Sequence, residues 1–211
     1  MNWNILPAII CSLFLFSGLG RANENSKDKN VTSKTLKVEI AIFAGGCFWC
    51  LQPAFDELME GKGVLLTTVG FTGGKIPHPS YESVATGQTQ HVESIEIHYD
   101  PTKVSYETLL DIYYRNIDPT DGGGQFSDRG PHYRPVIFYL NEAQEKAARN
   151  SKQKLQDSKK FTKNIAVEIT AATPFYPAEE KHQKYYDKNK LRYQTYSRLS
   201  GRKSFIEKNW K

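Results

Sequence analysis

The alternation of apolar and polar residues divides this chain into strands and helices. Several segments repeat apolar, often β-branched residues at every second position, which is the period of a half-buried strand. Others repeat apolar residues every three to four positions, as an amphipathic helix does. The predicted strands are Leu36–Ala44, Gly63–Phe71, His91–Tyr99, Pro135–Leu140 and Ile165–Thr170. The predicted helices run from about Cys47 to Glu60, from Ser105 to Arg115 and from Asn141 to about Lys160, with one turn near Tyr81–Ala85.

This order of elements predicts an α+β fold. Strands and helices interleave, but the third strand lacks the regular strand–helix–strand period of a doubly wound sheet. We therefore expect a two-layer α/β sandwich with a mixed sheet and a ferredoxin-like core, in one domain over residues 36–211. Long loops are predicted at 75–90 and 118–134, and a coil-rich C-terminal tail from about residue 190.

The N-terminal segment has a different character from the rest of the chain. Ile5–Leu19 is almost wholly apolar, and small residues at Gly20 and Ala22 resemble a signal peptidase site. We expect a signal peptide over residues 1–22, a disordered lead-in over 23–35, and an exported, periplasmic protein. The apolar run is short for a membrane span, but no Lys or Arg precedes it. An uncleaved membrane anchor is therefore the alternative.

The composition indicates a globular protein without a nucleic-acid partner. The chain has 211 residues, of which 39% are hydrophobic, and a net charge of +5. Its basic residues form no stripe interleaved with aromatics, so no nucleic-acid partner is expected.

Cysteine usage favours chemistry over structure. Signal cleavage would remove Cys11 and leave Cys47 and Cys50 in the mature chain. A single cysteine pair in an exported protein usually forms a disulfide. A bridge between residues three apart closes a very small loop, however, and removes little entropy from the unfolded chain.

Cys47 is the candidate nucleophile. It follows two glycines between a predicted strand and a predicted helix, so its thiol should lie at a helix N-terminus. The dipole and free N–H groups there favour an anion, which predicts a lowered pKa for the Cys47 thiol. The alternatives are an inert buried cysteine and a zinc site, although the histidines lack the usual His-x₃₋₅-His spacing.

Glu93 is the candidate proton donor. It shares one face of its predicted strand with Ile95 and Ile97. Burial of a carboxylate on this apolar face should raise its pKa towards neutrality. The alternative is a buried Glu paired with an arginine or lysine.

Trp49 is a candidate for one wall of a ligand-binding pocket. On the predicted helix it lies away from the apolar stripe that includes Phe48. A large aromatic there is better explained by a bound ligand than by core packing, and an exposed surface tryptophan is the alternative.

Four segments together resemble the A-type methionine sulfoxide reductases. They are "GCFWC", "YESVATGQTQHVESIEIHYDP", "IDPTDGGGQFSDRGPHYRP" and "FYPAEEKHQKYY", in the family's order, and the likeness runs from about Lys37 to Lys188. The resemblance implies a catalytic domain that reduces the S-epimer of methionine sulfoxide, free or in oxidised proteins, as a repair reaction under oxidative stress. An exported Cys-x-x-Cys thiol–disulfide oxidoreductase is the alternative function.

The resemblance also implies a role for each matching residue. The implied reaction needs no metal or bound cofactor. It requires an external thiol reductant, either a thioredoxin-like protein or a small dithiol. The implied residues are Cys47 as nucleophile, Phe48 and Trp49 as the pocket for the substrate methyl group, Glu93 as acid, Tyr81 and Tyr133 as hydroxyl donors to the sulfoxide oxygen, and Asp128 as a supporting acid.

The C-terminal tail departs from many relatives of that family, which carry recycling cysteines there. This tail, "YQTYSRLSGRKSFIEKNWK", has none. We therefore expect Cys50 to resolve a sulfenic acid on Cys47 by forming a disulfide, with direct attack by an external thiol as the alternative. Membrane contact is expected only if the N-terminal segment stays uncleaved.

Overall fold

The computed structural model describes residues 37–210. The signal peptide predicted for 1–22 and the lead-in predicted for 23–35 lie outside the described residues. Within 37–210, no helix combines the length and apolar character that crossing a membrane requires.

A six-stranded sheet forms the centre of the fold. Its spatial order is β7-β6-β1-β3-β2-β8, and all neighbours are antiparallel except the parallel pair β6 and β7. A short hairpin, β4 and β5, lies apart from the sheet. The strands are β1 (Glu39–Ala44), β2 (Val64–Thr72), β3 (Val92–Tyr99), β4 (Gly124–Gln125), β5 (Asp128–Arg129), β6 (Val136–Tyr139), β7 (Glu168–Ala171) and β8 (Tyr176–Pro177).

Helices cover the sheet and confirm the predicted two-layer α+β sandwich with a mixed sheet. Ser105 and Asn141 cap α3 and α4 as expected, since each side chain accepts a backbone N–H from the residue three positions later. The helices are α1 (Phe48–Asp56), α2 (Tyr81–Ala85), α3 (Tyr106–Arg115), α4 (Glu142–Asp157), α5 (Tyr185–Lys188), α6 (Lys190–Leu199) and α7 (Arg202–Trp210).

The main core lies between one face of the sheet and the helices α1, α3 and α4. Strand residues Phe43, Ile95 and Ile97 are fully buried there against Leu51 of α1 and Leu109 of α3. These contacts fix α1 across the sheet with its N-terminus over the start of β3. The face of β3 predicted to be apolar is therefore the face that α1 covers.

The C-terminal tail is helical, and the prediction of a coil-rich tail is wrong. Helices α6 and α7 meet at Gly201, whose φ of +87° allows the chain to turn between them. The tail has no apolar stripe that would have indicated helices, and α6 has no buried residue. Ring contacts anchor it instead, since Phe205 stacks on Phe161 and Trp210 packs against the main core.

The turn between β1 and α1 is tightly enclosed. Gly46 has a φ of +80°, and a Cβ at this position would lie only 2.5 Å from Cβ of Gln125. No other residue type fits this turn without displacing the hairpin. The buried Tyr113 hydroxyl donates a 2.7 Å hydrogen bond to the carbonyl of Ala44, which fixes the end of β1.

The adjacent tyrosines of α3 give a matched test of that hydrogen bond. Y113F leaves the buried Ala44 carbonyl without its donor and should lower the free energy of unfolding by about 1–2 kcal/mol. Tyr114 is also buried, but its hydroxyl has no partner within residues 37–210, so Y114F should be neutral or stabilising. Urea unfolding of the two variants checks the difference, and equal losses would contradict it.

Candidate active site

Cys47 and Cys50 lie together in the first turn of α1. Cys47 is the residue before the helix and Cys50 is its third residue, and the N–H of Cys50 donates to the Cys47 carbonyl at 3.0 Å. Side chains at these two positions face each other across the first turn. Both cysteines are buried and free of a disulfide, and the two thiols shift each other's pKa. A disulfide between them therefore needs no movement of a distant segment.

Burial dominates the electrostatics of Cys47. It raises the pKa of the Cys47 thiol well above its ordinary value, and the hydrogen bond with the Cys50 thiol and the nearby Glu93 carboxyl act in the same direction. The expectation that the helix N-terminus lowers the pKa of this thiol is wrong for the free site, because the thiol is desolvated as well as placed at the helix end. The resting Cys47 side chain is thus a neutral thiol.

Glu93 lies on the covered face of β3, directly beneath the start of α1. Its Oε2 accepts the backbone N–H of Phe48 at 3.0 Å, and the residue is 2% exposed. Burial raises the pKa of Glu93 to about 8, although the Phe48 hydrogen bond acts in the opposite direction. No lysine or arginine of the described residues pairs with Glu93, which excludes the ion-paired alternative. The carboxyl group is therefore largely neutral at pH 7.

Aromatic rings form a wall beside the cysteine pair. Phe48 is buried, and Trp49 is half-buried with its ring stacked on Tyr185 at 3.9 Å between centroids. The indole Nε1 of Trp49 donates to Nδ1 of His182 at 3.3 Å, and the His182 ring stacks on Tyr81. Trp49 is thus held in a fixed orientation and is not an isolated surface residue.

Two tyrosine hydroxyls face the same centre. Tyr81 starts α2 and Tyr133 ends a short 3₁₀ helix at 131–133, and both side chains are half-buried. Burial raises the pKa of each phenol, followed by the charges of Glu93 and Cys47. Neither hydroxyl has a hydrogen-bond partner within the described part of the chain, so both remain available as donors to a bound molecule.

Asp128 joins the site through the C-terminal tail. Its two carboxylate oxygens each lie 2.6 Å from the hydroxyl of Tyr196 on α6, and burial raises the pKa of Asp128. The Tyr196 hydroxyl also acts to lower the pKa of the Cys47 thiol, against the larger effect of burial. Sequence reasoning missed Tyr196. The helical spacing of Tyr193, Tyr196 and Ser197 was the signal that could have placed these residues on one face.

The centre therefore combines two thiols, a neutral carboxyl group and free phenol hydroxyls next to an aromatic wall. In residues 37–210 no three His, Cys, Asp or Glu side chains are grouped as a metal site would require. The two thiols, the carboxyl group and the phenol hydroxyls can together carry out sulfur chemistry, in which a thiol attacks while a proton is delivered to the leaving atom.

Comparison with known proteins assigns the chain to a family. The sequence model described as "Peptide methionine sulfoxide reductase" matches residues 39–211. Peptide methionine sulfoxide reductase MsrA of Bacillus pumilus is 50% identical over 174 residues, which is 82% of this chain and 96% of the relative. The chain belongs to the peptide methionine sulfoxide reductase family. Its activity is that of a peptide-methionine (S)-S-oxide reductase.

Solved structures of methionine sulfoxide reductases share the fold. Methionine sulfoxide reductase A of Corynebacterium diphtheriae is 34% identical, with a TM-score of 0.64 over 73% of this chain and 76% of that one. Mxr1 of Saccharomyces cerevisiae in reduced form is 29% identical, with a TM-score of 0.69 over 77% of this chain and 91% of that one. A structure of Mxr1 in complex with Trx2 is 22% identical with a TM-score of 0.51 over 74% and 91% of the two chains, which shows the fold alone.

The proton on Glu93 has a measurable effect on the stability of this reductase. Between the ordinary pKa of 4.5 and the folded value of about 8, the folded state holds a proton that the unfolded chain has released. The resulting stabilisation is complete below the ordinary pKa and is lost as the pH rises through about 8. The unfolding free energy of the wild type relative to E93Q should therefore fall by roughly 1.4 kcal/mol per pH unit between about pH 5.5 and 7.5.

Denaturant unfolding across this pH range checks the slope. The exposed Glu142 supplies the control, because E142Q changes no desolvated group and should give a flat difference from the wild type. A flat difference for E93Q as well would contradict a neutral Glu93.

Proposed function

We propose that the thiolate of Cys47 attacks the sulfur of methionine (S)-sulfoxide while Glu93 protonates the sulfoxide oxygen. The hydrogen bond from the Phe48 N–H to Glu93 is the observation that carries this proposal. It places a neutral carboxyl group beside the residue that follows Cys47, so nucleophile and acid converge on one point. With Oε2 accepting this bond, the carboxyl proton is free to lie on Oε1 and to be donated.

The protons of the first step balance within this pair. Cys47 and Glu93 both start protonated, because burial raises the pKa of each. Glu93 gives its proton to the sulfoxide oxygen, and the Cys47 proton restores Glu93 as the thiolate attacks. The attack forms a bond between the Cys47 sulfur and the substrate sulfur. The protonated oxygen then moves to Cys47 as this bond and the substrate S–O bond break, so methionine leaves and Cys47 becomes a sulfenic acid. The carboxyl group therefore acts as a relay and ends the step unchanged.

The flanking side chains account for recognition of the substrate. The hydroxyls of Tyr81 and Tyr133 donate to the sulfoxide oxygen, and Phe48 and Trp49 contact the methyl group. Hydroxyl donors on one side and an aromatic wall on the other distinguish the two configurations at sulfur. Asp128 supports this arrangement through Tyr196.

Cys50 completes the cycle. Its thiolate attacks the sulfenic sulfur of Cys47, the S–O bond breaks, and hydroxide leaves as water after gaining a proton. An external dithiol then reduces the Cys47–Cys50 disulfide. A thioredoxin-like protein or a small dithiol has the required chemistry, and the solved complex of Mxr1 with Trx2 is a precedent in a protein of the same fold.

The alternative function, a Cys-x-x-Cys thiol–disulfide oxidoreductase, accounts for fewer residues of the site. It would use Cys47 and Cys50 but would leave the buried Glu93, the oriented Trp49 and the free Tyr133 hydroxyl without roles. Family membership also disfavours it.

The biological setting is proposed from the N-terminal sequence. The apolar segment before Asn23 supports export to the periplasm, where methionine sulfoxide in oxidised proteins or free methionine sulfoxide would be the substrate. The function there is repair of oxidised proteins.

A single-turnover assay without reductant tests the acid role of Glu93. E93Q keeps an acceptor for the Phe48 N–H but has no acidic proton, so methionine release should slow by roughly 100-fold or more with little change in substrate affinity. C47S is the reference, because it removes the nucleophile and should release no methionine. An E93Q chain that releases methionine at the wild-type rate would refute the proton-donor role.

Substitution of Cys50 tests the resolving role. C50S should still release about one equivalent of methionine, since the first step does not use Cys50, but it should stop with a sulfenic acid that a 1,3-diketone traps. The wild type under the same conditions should show a Cys47–Cys50 disulfide by mass spectrometry. Trapped sulfenic acid with free Cys50 in the wild type would count against this role.

A further inference from the structure

Arg202 is buried at the junction of the two tail helices. It is 4% exposed, its Nη2 donates to the carbonyl of Gly45 at 3.0 Å, and its Nη1 donates to the carbonyl of Asn116. Its guanidinium group lies over the ring of Phe126 at 4.9 Å. No carboxylate of the described residues forms an ion pair with it. A buried arginine retains its positive charge inside the protein. Hydrogen bonds to neutral carbonyls offset only part of the cost of its burial, and a nearby anion would offset more.

The charge of Arg202 faces Cys50. Both residues line an open cavity of about 850 Å³ between α1, α3, α6 and α7. Tyr193 and Ser197 line the same cavity, and the Ser197 hydroxyl acts to lower the pKa of the Cys50 thiol. Cys47 and Glu93 are not among the lining residues, so the two cysteines face different surroundings. The tail lacks a cysteine but supplies a cation and a hydroxyl beside the cysteine of α1.

Arg202 also determines the geometry of the turn that carries Cys47. Its bond to Gly45 and the bond of Tyr113 to Ala44 hold consecutive carbonyls at the end of β1. A Cβ at Gly46 would lie 2.9 Å from Nη2 of Arg202, so the guanidinium packs directly on the turn. One side chain thus contacts the backbone before Cys47 and faces the side chain of Cys50.

We propose that Arg202 is the positioning residue of the resolving step, holding the Cys47 turn in place and stabilising the attacking thiolate of Cys50. This inference rests on the proposed resolving role of Cys50. In the step, the Cys50 thiolate forms a bond to the sulfenic sulfur of Cys47, the S–O bond breaks, and the released hydroxide takes up the proton that Cys50 gave to solvent. Arg202 acts through Cys50 and touches neither substrate nor leaving group.

The surroundings of Cys50 agree with this assignment. The hydrogen bond with Cys47 lowers the pKa of the Cys50 thiol most, followed by the charge of Arg202, while burial and the Asp128 charge oppose them. Once Cys47 is a sulfenic acid its thiol no longer contributes, and Arg202 and Ser197 remain as the stabilising groups. The titratable or charged groups that interact electrostatically with Cys50 are Cys47, Glu93, Asp128, Tyr193, Tyr196 and Arg202. The cavity that Cys50 lines also carries Asp56, Glu57, Glu60, Lys62, Arg115, Lys203 and Glu207.

The test follows both steps separately in the full-length chain. Without reductant, the protein is mixed with one equivalent of a blocked methionine (S)-sulfoxide over a range of pH. Methionine release reports the Cys47 step, and loss of the Cys50 thiol, measured by alkylation and mass spectrometry, reports disulfide formation. The variants are R202Q, R202K and, as matched control, R198Q, which removes an exposed arginine of the same tail.

We expect R202Q to slow disulfide formation at neutral pH roughly tenfold and to move its pH midpoint upward, because a rise of one unit in a thiol pKa leaves about a tenth of the thiolate. Methionine release should change much less. R202K retains the charge and should keep the wild-type midpoint with a lower plateau, since it loses the paired carbonyl contacts. R198Q should match the wild type.

Loss of both rates by one common factor in R202Q, with an unmoved midpoint, would overturn the proposal and leave Arg202 a structural residue. R202M, which keeps a long side chain over Phe126, is a second neutral variant in case R202Q does not fold, and the same midpoint shift is expected of it. A wild type that forms no Cys47–Cys50 disulfide would refute the resolving role itself, a result that needs no Arg202 variant.

Discussion

The hydrogen bond from the Phe48 N–H to Glu93 joins the two layers of the fold at the point where chemistry is required. β3 supplies the carboxyl group, and α1 supplies the N–H from the residue after Cys47. A carboxylate at this depth would be costly, and burial instead keeps the group neutral to about pH 8. The packing of Leu51 and Phe55 against the sheet fixes α1 in the position that makes this bond possible. The neutral state of the Glu93 carboxyl group is therefore a consequence of how α1 packs on the sheet.

The same burial disfavours a resting thiolate on Cys47, so the proposed mechanism forms the thiolate by proton transfer to Glu93. Desolvation raises the pKa of Cys47, so a helix N-terminus alone does not supply a resting thiolate. In the proposed mechanism, the neutral Glu93 carboxyl group gives one proton to the substrate and takes up the proton of Cys47. On the opposite side of the pair, the tail brings Tyr196 to Cys47 and Arg202 towards Cys50. The two sulfurs thus have different electrostatic surroundings although they are three residues apart.

The predictable and unpredictable parts of the site differ in their physical origin. Glu93 could be placed because strand periodicity puts it on the face of Ile95, and Trp49 because it lies off a helical stripe. Tyr133 and Asp128 lie in a long connection without periodicity, so only the family resemblance pointed to them. Tyr196 and Arg202 were missed because the tail packs through rings and polar contacts, which leave no apolar pattern. The prediction of a lowered Cys47 pKa was wrong because the sequence indicates the helix dipole but not the depth of burial.

The protonation state of Glu93 is the central claim, and infrared difference spectroscopy measures it directly. The spectrum of the wild type minus that of E93Q isolates the carboxyl band of this one residue, recorded from about pH 6 to pH 9.5. We predict the carbonyl stretch of a neutral carboxylic acid at about pH 6 and its replacement by carboxylate bands with a midpoint near pH 8. Carboxylate bands already complete at about pH 6 would contradict the account.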